Sequence, residues 1–216
     1  WKQRHNKTFN KISNLLIKRL FDIIIAIVGL VLTAPLFLII AMMIVSESRG
    51  GVFYKSRRIG KNKKPFDLIK FRTMHPNSDK SNITIGNRDP RITQTGYWLR
   101  KYKLDELPQF INIFRGEMSM VGPRPDVPKY IQYYTQHMPE YFSMKPGITS
   151  YSSIYFSNES EIYVNASDPE RMYIEETIPK KVELDRKYYD HQNLITDLHI
   201  MLKTIRKIFS KDHAKE

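Results

Sequence analysis

Two adjacent carboxylates, Asp105 and Glu106, are the side chains of this sequence best placed to do chemistry. The apolar residues that follow recur at the spacing of a short amphipathic helix: Leu107, Phe110, Ile111 and Phe114. Gly116 is the predicted end of that helix, and Asp105 is its predicted N-cap. Backbone N–H groups at a helix start favour anions such as phosphate, and they help to keep a carboxylate ionised as a nucleophile or metal ligand.

An acidic pair at a helix start also has a simpler explanation. Asp followed by Glu often does no more than cap the free backbone amides of the first turn. Pro108 agrees with both interpretations, because an amide in the first turn has no acceptor within the helix. Taken alone, the pair favours capping, so the surrounding residues have to decide.

Basic residues with constrained positions surround the acidic pair in the sequence. Arg100 lies five residues before Asp105, near enough for a turn to bring its guanidinium to the carboxylates. Arg124 stands between two prolines, which stiffen the backbone that presents it. Lys70 and Arg72 are two residues apart in a predicted strand and therefore share a face. Each of these cations is either a phosphate ligand or a solvated surface charge.

The elements that would position these residues are short. Residues 52–57 and 66–74 have strand composition, and the turn-rich residues 60–65 between them predict a β-hairpin. Residues 75–90 are predicted to form a loop, and residues 97–103 a short helix. The aromatic-rich residues 130–142 suit either a membrane interface or the edge of a core.

The N-terminal region contains an apolar run, residues 23–45, without any charged side chain. A helix of this length measures about 35 Å, enough to cross a bilayer core of about 30 Å. Pro35 interrupts the run, and basic residues flank it on both sides. Positive charge marks the cytoplasmic face, so the pattern fits a broken helix that enters and leaves by one face. From the residues alone, a kinked spanning helix is an equal alternative.

The bulk composition is strongly basic, with 35 Lys and Arg against 22 Asp and Glu and a net charge of +13. Such a charge indicates a polyanionic neighbour, which can be nucleic acid, acidic lipid or a phosphorylated substrate. The sequence has no Cys, which excludes disulfides, thiolate zinc sites and a cysteine nucleophile. Residues 194–209 predict a basic amphipathic helix that lies on an anionic membrane or packs on the core, and we favour the membrane.

Several stretches, in this order, resemble one family. They are Lys18-Arg19-Leu20-Phe21-Asp22 with the apolar run and Pro35, Lys70-Phe71-Arg72-Thr73-Met74, Leu99-Arg100, Leu104-Asp105-Glu106-Leu107-Pro108-Gln109, Met118-Ser119-Met120-Val121-Gly122-Pro123-Arg124-Pro125, Lys145-Pro146-Gly147-Ile148-Thr149, and Leu184-Asp185 with Tyr188-Tyr189. Their order and spacing resemble the bacterial sugar transferases of the monotopic phosphoglycosyl transferase superfamily, and the resemblance covers nearly the whole chain.

The resemblance implies an α+β, mainly helical fold. Residues 1–48 would form a basic flank and a re-entrant membrane helix broken at Ala34 and Pro35. Residues 49–216 would form a compact catalytic domain with a small β-hairpin and amphipathic interfacial helices. That domain would lie on the cytoplasmic face of the bacterial inner membrane.

The resemblance also implies a reaction, in which Asp105 attacks the β-phosphate of a UDP-sugar and expels UMP. Polyprenyl phosphate then takes the phosphosugar from the carboxylate, giving polyprenyl-diphosphate-sugar in the first membrane step of a glycan assembly pathway. Asp105 and Glu106 would hold Mg²⁺. The implied substrate-binding residues are Lys70, Arg72, Arg100, Arg124 and Asp185.

Two positions depart from the family pattern. Relatives commonly have Ser before the membrane proline, where this chain has Ala34. After Thr149 many relatives continue Gly-Trp-Ala-Gln-Val-Asn-Gly-Arg, whereas this chain reads Ser150-Tyr151-Ser152-Ser153-Ile154-Tyr155-Phe156. If that segment contacts the nucleotide or the sugar, donor specificity here is unusual.

The alternative function is a membrane-anchored basic protein that binds anionic lipid or nucleic acid without catalysis. It explains the charge and the anchor but leaves the acidic pair among arginines unexplained. We therefore expect an enzyme whose partners are a UDP-sugar, polyprenyl phosphate and membrane lipid, with no nucleic acid. A homodimer is left open.

Overall fold

The structure is a computed structural model that describes residues 2–76, 78, 83–86 and 88–210, with side chains described from residue 15 onward. It is mainly helical, as predicted, and it contains two small sheets, of which one is the predicted hairpin and the other was not predicted. The helices are α1 (Lys2–Glu47), α2 (Gln94–Lys101), α3 (Gln109–Arg115), α4 (Ile131–His137), α5 (Tyr151–Tyr155), α6 (Glu159–Ile162), α7 (Pro169–Met172), α8 (Ile178–Asp190) and α9 (Leu194–Ile208). The strands are β1 (Phe53–Ile59), β2 (Pro65–Phe71), β3 (Ser119–Val121) and β4 (Gly147–Thr149).

Helix α1 is one continuous helix that runs through Ala34 and Pro35, so the expected break at these residues is not confirmed. A proline inside a helix removes only its own backbone hydrogen bond, here the one to the carbonyl of Val31, and the turns on either side persist. The hydroxyl of Thr33 donates to the carbonyl of Gly29 at 2.6 Å. This bond leaves the Thr33 side chain satisfied within the helix.

Polar contacts fasten α1 to the rest of the chain near both ends of its apolar stretch, Leu15–Glu47. Lys18 pairs with Asp197, the buried Asp22 accepts a hydrogen bond from the amide of Met120, and Glu47 accepts from the amides of Gln94 and Thr95. The two contacts of Glu47 measure 2.6 and 2.8 Å, and they cap the start of α2. Helix α1 therefore lies along the remainder of the molecule instead of projecting from it.

The opposite face of α1 is apolar and exposed. Its stretch Leu15–Glu47 is long and apolar enough to cross a membrane, judged by length and composition. The exposed residues of this face include Leu16, Leu20, Ile24, Val31, Leu38 and Met42. An apolar surface of this extent is typical of a membrane contact, and it supports membrane association of the chain.

The predicted β-hairpin is confirmed. Strands β1 and β2 pair antiparallel, with Tyr54 opposite Lys70. A 3₁₀ turn at Lys61–Lys63 joins them, and its Asn62 and Lys63 have positive φ values of 56° and 59°. Antiparallel pairing fixes the face to which Lys70 belongs and so carries its ammonium towards the acidic pair.

The helix after the acidic pair begins later than predicted. Asp105 and Glu106 lie in a 3₁₀ turn, Leu104–Glu106, and the N-cap of α3 is Pro108. The prediction that Asp105 caps this helix is therefore wrong. Lys103 adopts a left-handed φ of 56°, which turns the chain and starts the tight 3₁₀ segment before α3 can form. The end of the helix at Gly116 is confirmed, with a φ of 85°.

The main core lies behind the acidic pair, between the small parallel sheet β3–β4 and helices α4, α8 and α9. The aromatic residues 130–142 belong to this core, since Tyr130, Tyr134, Tyr141 and Phe142 are buried. Gly122 and Gly147 approach so closely that a Cβ on Gly147 would lie 2.1 Å from the nitrogen of Gly122. This contact fixes the backbone that leads into Arg124.

The remaining predicted helices are present with shifted ends. Helix α2 starts at Gln94, three residues before the predicted start, because Thr93 caps it by accepting from the amide of Gly96. The bounds of helix α9 agree with the prediction to within one residue, and Asn193 caps it; its placement on a membrane stays a prediction. Its residues Leu198, Leu202 and Ile205 are exposed.

Candidate active site

A cavity of about 680 Å³ opens beside the acidic pair. Residues from β2, α2, the 3₁₀ turn and the loop after β3 meet in its wall. Of the predicted catalytic and substrate-binding residues, five line it: Lys70, Arg100, Asp105, Glu106 and Arg124. The structure therefore brings both carboxylates and three of the four predicted phosphate ligands to one space.

Glu106 is held by two cations. Arg124 donates to both of its carboxylate oxygens, from Nη2 to Oε1 at 2.6 Å and from Nη1 to Oε2 at 3.3 Å. The Nζ of Lys70 lies 3.1 Å from Oε1. Burial alone would raise the pKa of Glu106, but the charges of Arg124 and Lys70 hold that pKa well below its usual range. Glu106 is thus ionised and fixed in orientation.

Asp105 has a different environment. Its Oδ2 lies 3.9 Å from the Nζ of Lys70, and no hydrogen bond from any residue that the structure describes ends on its carboxylate. The side chain is only 6% exposed, yet it lines the cavity. Burial raises the pKa of Asp105, an effect that Lys70 and Arg100 oppose. Neighbouring carboxylates with pKa values pushed apart are typical of groups with separate roles.

Arg100 and Lys70 are cations that pay a desolvation penalty in this site. Burial lowers the pKa of Arg100, while Asp105 opposes the shift. Burial likewise lowers the pKa of Lys70, and Glu106 opposes it. Among the residues that the structure describes, Arg100 makes one long hydrogen bond of 3.4 Å, to the hydroxyl of Thr84. Both cations would gain from an anionic ligand in the cavity, since it would compensate their buried charge.

Two predicted substrate-binding residues lie elsewhere. Arg72 donates to the carbonyl oxygens of Arg49 and Ser48, at 3.0 and 2.8 Å, and it does not line the cavity. These two bonds hold the backbone of the segment that follows α1. Asp185 on α8 is fully buried and accepts hydrogen bonds from Tyr141 at 2.9 Å and from the Ser152 hydroxyl at 3.0 Å. Because Ser152 does line the cavity, Asp185 supports the wall from behind.

Asp185 gives the fold a pH dependence of known sign. Burial raises its pKa from 3.8 to about 6. The folded state therefore holds a proton that the unfolded state has already lost between pH 4 and 6, so this stabilisation is full below about pH 4 and vanishes as the pH rises through 6. We expect the difference in free energy of unfolding between the unmodified protein and Asp185→Asn to fall by about 2 kcal/mol from pH 4 to pH 7. Urea titrations of both proteins at the two pH values measure it, and a difference that stays constant or grows would contradict this origin.

Sequence reasoning missed a group of polar residues that line the same cavity: Asp126, Glu159, Tyr163, Tyr173 and Lys181. They come from the loop after Arg124, from α6 and its C-cap, from the segment after α7, and from α8. No spacing rule links them, because the fold alone brings these segments together. Of these five residues, Asp126 could have been identified from the sequence, because it directly follows Pro125 in the stiff loop that presents Arg124.

A third part of the cavity wall is apolar. Ile25 of α1, Phe110 of α3, Met120 of β3, and Met201 and Ile205 of α9 form it. Two of these helices, α1 and α9, also carry the exposed apolar faces described above. The cavity thus joins a cationic, carboxylate-bearing region to apolar surfaces that suit a lipid.

The acidic pair fits Mg²⁺ by the chemistry of its donors. Mg²⁺ prefers oxygen ligands and is commonly held by one or two protein carboxylates, with waters and substrate phosphates completing the shell. Asp105 and Glu106 supply two such carboxylates at adjacent positions. Within the described ranges no group of three or more Asp, Glu or His side chains that could hold a metal ion is found, so substrate oxygens would have to contribute.

Fold and site together define a membrane-associated enzyme with a carboxylate pair in a cationic cavity. Residues 13–211 match the family model described as bacterial sugar transferase, and the chain belongs to that family.

Among its relatives, an exopolysaccharide production protein of Sinorhizobium fredii is 37% identical over 204 residues, covering 87% of this chain and 83% of the relative. The UDP-glucose:undecaprenyl-phosphate glucose-1-phosphate transferase of Caulobacter vibrioides is 33% identical, with coverages of 91% and 71%. A UDP-N-acetylgalactosamine-undecaprenyl-phosphate N-acetylgalactosaminephosphotransferase of Aeromonas hydrophila is 33% identical over 90% of this chain and 44% of its own length. These similarities agree with the resemblance noted in the sequence, and they identify the chain as a phosphoglycosyl transferase.

Proposed function

We propose that this enzyme transfers a phosphosugar from a UDP-sugar to polyprenyl phosphate, giving polyprenyl-diphosphate-sugar and UMP, as the first membrane step of a glycan assembly pathway. The observation that carries the proposal is the meeting of Asp105 and Glu106 with Lys70, Arg100 and Arg124 in one cavity. Relatives named as transferases of sugar phosphates to undecaprenyl phosphate support both the reaction and the acceptor.

In the first displacement, a carboxylate oxygen of Asp105 attacks the β-phosphorus of the UDP-sugar. The bond from that phosphorus to the oxygen bridging the two phosphates breaks, and UMP leaves with the electron pair. The phosphosugar stays on Asp105 as an acyl phosphate. Asp105 suits this role because its carboxylate accepts no hydrogen bond from the described residues and borders the cavity, so an incoming phosphorus does not have to displace a partner.

In the second displacement, a phosphate oxygen of polyprenyl phosphate attacks the same phosphorus and the bond to Asp105 breaks. The carboxylate is regenerated, and no proton or electron has to be supplied. Two sequential displacements allow two bulky substrates to use one site in turn. The apolar wall formed by Ile25, Phe110 and Met201 supports the use of a lipid acceptor, because it offers the polyprenyl chain a path beside the carboxylate.

The cations of the site compensate two different negative charges, that of Glu106 and that of the substrate phosphates. Arg124 and Lys70 hold Glu106 ionised, and both lie where a diphosphate next to Asp105 would be bound. Among the described residues, the hydrogen bond of Arg100 in the site is the long one to Thr84, so its guanidinium can bind phosphate oxygens as charge develops on them. When bound by Asp105 and Glu106, Mg²⁺ would neutralise diphosphate charge and stabilise the leaving UMP.

The test of this function is the identity of the nucleotide product. Purified protein in detergent, incubated with UDP-sugars and polyprenyl phosphate, is expected to release UMP. Release of UDP would indicate a conventional glycosyltransferase. Release of no nucleotide from any donor would favour the alternative of a binding protein for anionic lipid or nucleic acid.

Removal of divalent cations gives a separate prediction. Excess EDTA is expected to reduce UMP release by at least about 10², because the diphosphate and the leaving UMP would lose their metal partner. Added Mg²⁺ should restore the rate, whereas added Na⁺ at equal ionic strength should not. Full activity in EDTA would show that the reaction does not need a divalent cation.

One-sided insertion of α1 into the cytoplasmic face of the bacterial inner membrane is the topology that we propose. It is supported by the contacts of Lys18 with Asp197 and of Glu47 with Gln94 and Thr95. These contacts fasten both ends of the apolar stretch Leu15–Glu47 to the same body, which could not lie on two sides of a bilayer. The exposed apolar face of α1 would enter one leaflet.

The topology is measured with single cysteines, since the chain has none of its own. Cysteines at Lys7 and Ser210 are expected to react with a membrane-impermeant thiol reagent from the same side of inverted membrane vesicles. A cysteine at Leu32 should be protected. Labelling of residues 7 and 210 from opposite sides would contradict one-sided insertion.

A further inference from the structure

The second polar region of the cavity is not used by the chemistry described above. It consists of Asp126, Glu159, Tyr163, Tyr173 and Lys181, and we refer to it as the Glu159 cluster. All five residues line the cavity, and Lys181 is only 5% exposed. Buried charges that line a cavity without serving the nucleophile suggest a ligand-binding role.

The cluster is a connected hydrogen-bond network. Lys181 Nζ donates to Oε1 of Glu159 at 2.7 Å and to the hydroxyl of Tyr173 at 3.3 Å. The Tyr163 hydroxyl donates to the same oxygen of Glu159 at 3.1 Å, and the Tyr173 hydroxyl donates to Asp126. Among the described residues no hydrogen bond ends on Oε2 of Glu159. The network thus holds its side chains rigidly and leaves a carboxylate oxygen for a ligand.

The cluster adjoins the acidic pair. Arg124, which binds Glu106, lines the same cavity as Glu159, and the charge of Glu159 adds to that of Glu106 in raising the pKa of Arg124. Lys103, two residues before Asp105, donates to the carbonyl of Ser157 at 3.0 Å, which ties the segment before α6 to the catalytic turn. A substrate bound through its diphosphate at Arg124 would therefore extend into the Glu159 cluster.

We propose that the Glu159 cluster binds the sugar of the nucleotide donor and that Glu159 determines which sugar is accepted. This inference rests on the proposed function. Oε2 of Glu159 would accept a hydrogen bond from a sugar hydroxyl, and Lys181 would donate one to a neighbouring hydroxyl oxygen. The ring of Tyr173 or Tyr163 would cover an apolar face of the sugar.

The chemistry of the cluster fits a hexose better than it fits uridine. A hexose presents several hydroxyl groups, each of which both donates and accepts, and carboxylates with lysine and phenol hydroxyls match that pattern. Uracil presents a single N–H donor and two carbonyl acceptors, so two carboxylates would be poorly matched to it. Sites that hydrogen-bond a substrate hydroxyl also reject analogues without it, because their polar groups would be left unpaired.

The proposal is tested by donor selectivity in Glu159→Gln and Glu159→Asp. Each variant is assayed for UMP release with UDP-glucose, UDP-galactose, UDP-N-acetylglucosamine and UDP-N-acetylgalactosamine, and for inhibition by UMP. We expect kcat/KM for the preferred donor to fall by about 10- to 100-fold and the preference among donors to shrink. The inhibition constant of UMP should stay within about twofold, because UMP lacks the sugar. Glu159→Asp keeps the charge that Lys181 requires and so provides a second, better-folded variant.

Glu161→Gln is the matched control, because Glu161 lies on the same short helix and does not line the cavity. It should leave the donor preference unchanged. Equal losses for every donor together with weaker UMP inhibition would assign the cluster to the nucleoside and overturn the proposal. An unchanged donor preference in both Glu159 variants would overturn it as well. If the unmodified enzyme released no UMP from any donor, the proposed function would fail first, which is a distinguishable result.

Discussion

Asp105→Asn is expected to reduce UMP release by a factor of about 10⁴ or more, as removal of a covalent nucleophile does in other enzymes. The amide retains the shape of the side chain but is a far weaker nucleophile. The structure predicts that this loss comes without unfolding. No hydrogen bond from a described residue ends on the Asp105 carboxylate, and burial already disfavours its charge, so a neutral amide should be tolerated. Thermal unfolding measured beside the kinetics separates the two effects.

The comparison with Asp185→Asn sharpens this test. Asp185 is also a buried acid, but it contacts Ser152 and Tyr141 instead of the cavity. Its replacement should change stability more than turnover, and Asp105→Asn should do the reverse. Activity of Asp105→Asn within about tenfold of the unmodified enzyme would remove Asp105 as the nucleophile.

Arg124→Ala is expected to lower kcat/KM by about 10² to 10³, the range seen when one charge-stabilising donor is removed from an active site. The substitution removes the phosphate ligand that we propose, and it also takes from Glu106 the cation that contributes most to its low pKa. The pKa of Glu106 should rise, so the acid limb of the pH–rate profile should move to higher pH. Rates measured between pH 5 and 9 report both effects.

Two further variants distinguish charge from geometry at this position. Arg124→Lys keeps the charge but lacks the planar fork with which two nitrogens of Arg124 donate to Glu106 at 2.6 and 3.3 Å, so it should recover only part of the rate. Arg115→Ala removes a positive charge from an exposed position on α3 and should have little effect. Similar rates for Arg115→Ala and Arg124→Ala would mean that only net charge matters.

Much of this site could be predicted from the sequence, because its key residues lie in local patterns. The hairpin that positions Lys70 follows from two β-rich runs and a polar turn, and Gly116 marks the end of α3 as expected. The acidic pair and the Pro-Arg-Pro loop were identified by their neighbours in the chain. Lys70 and Arg124 both contact Glu106, and the phosphate-binding role that the resemblance implied for them stays a prediction.

The rest depended on long-range packing that local patterns do not encode. Asp105 is not the cap of α3, because a left-handed Lys103 starts a 3₁₀ turn first. Arg72 shares a strand with Lys70 but is captured by the carbonyls of Ser48 and Arg49. The Glu159 cluster joins segments far apart in the sequence. Pro35 does not end α1, which continues to Glu47.

The most direct measurement is the intact mass of the protein after incubation with a UDP-sugar and Mg²⁺ in the absence of polyprenyl phosphate. The account predicts a gain equal to one phosphosugar, located on the peptide that contains Asp105, absent in Asp105→Asn and discharged when polyprenyl phosphate is added. A single-turnover experiment in which UMP appears only after the acceptor is added, with no change in protein mass, would contradict it.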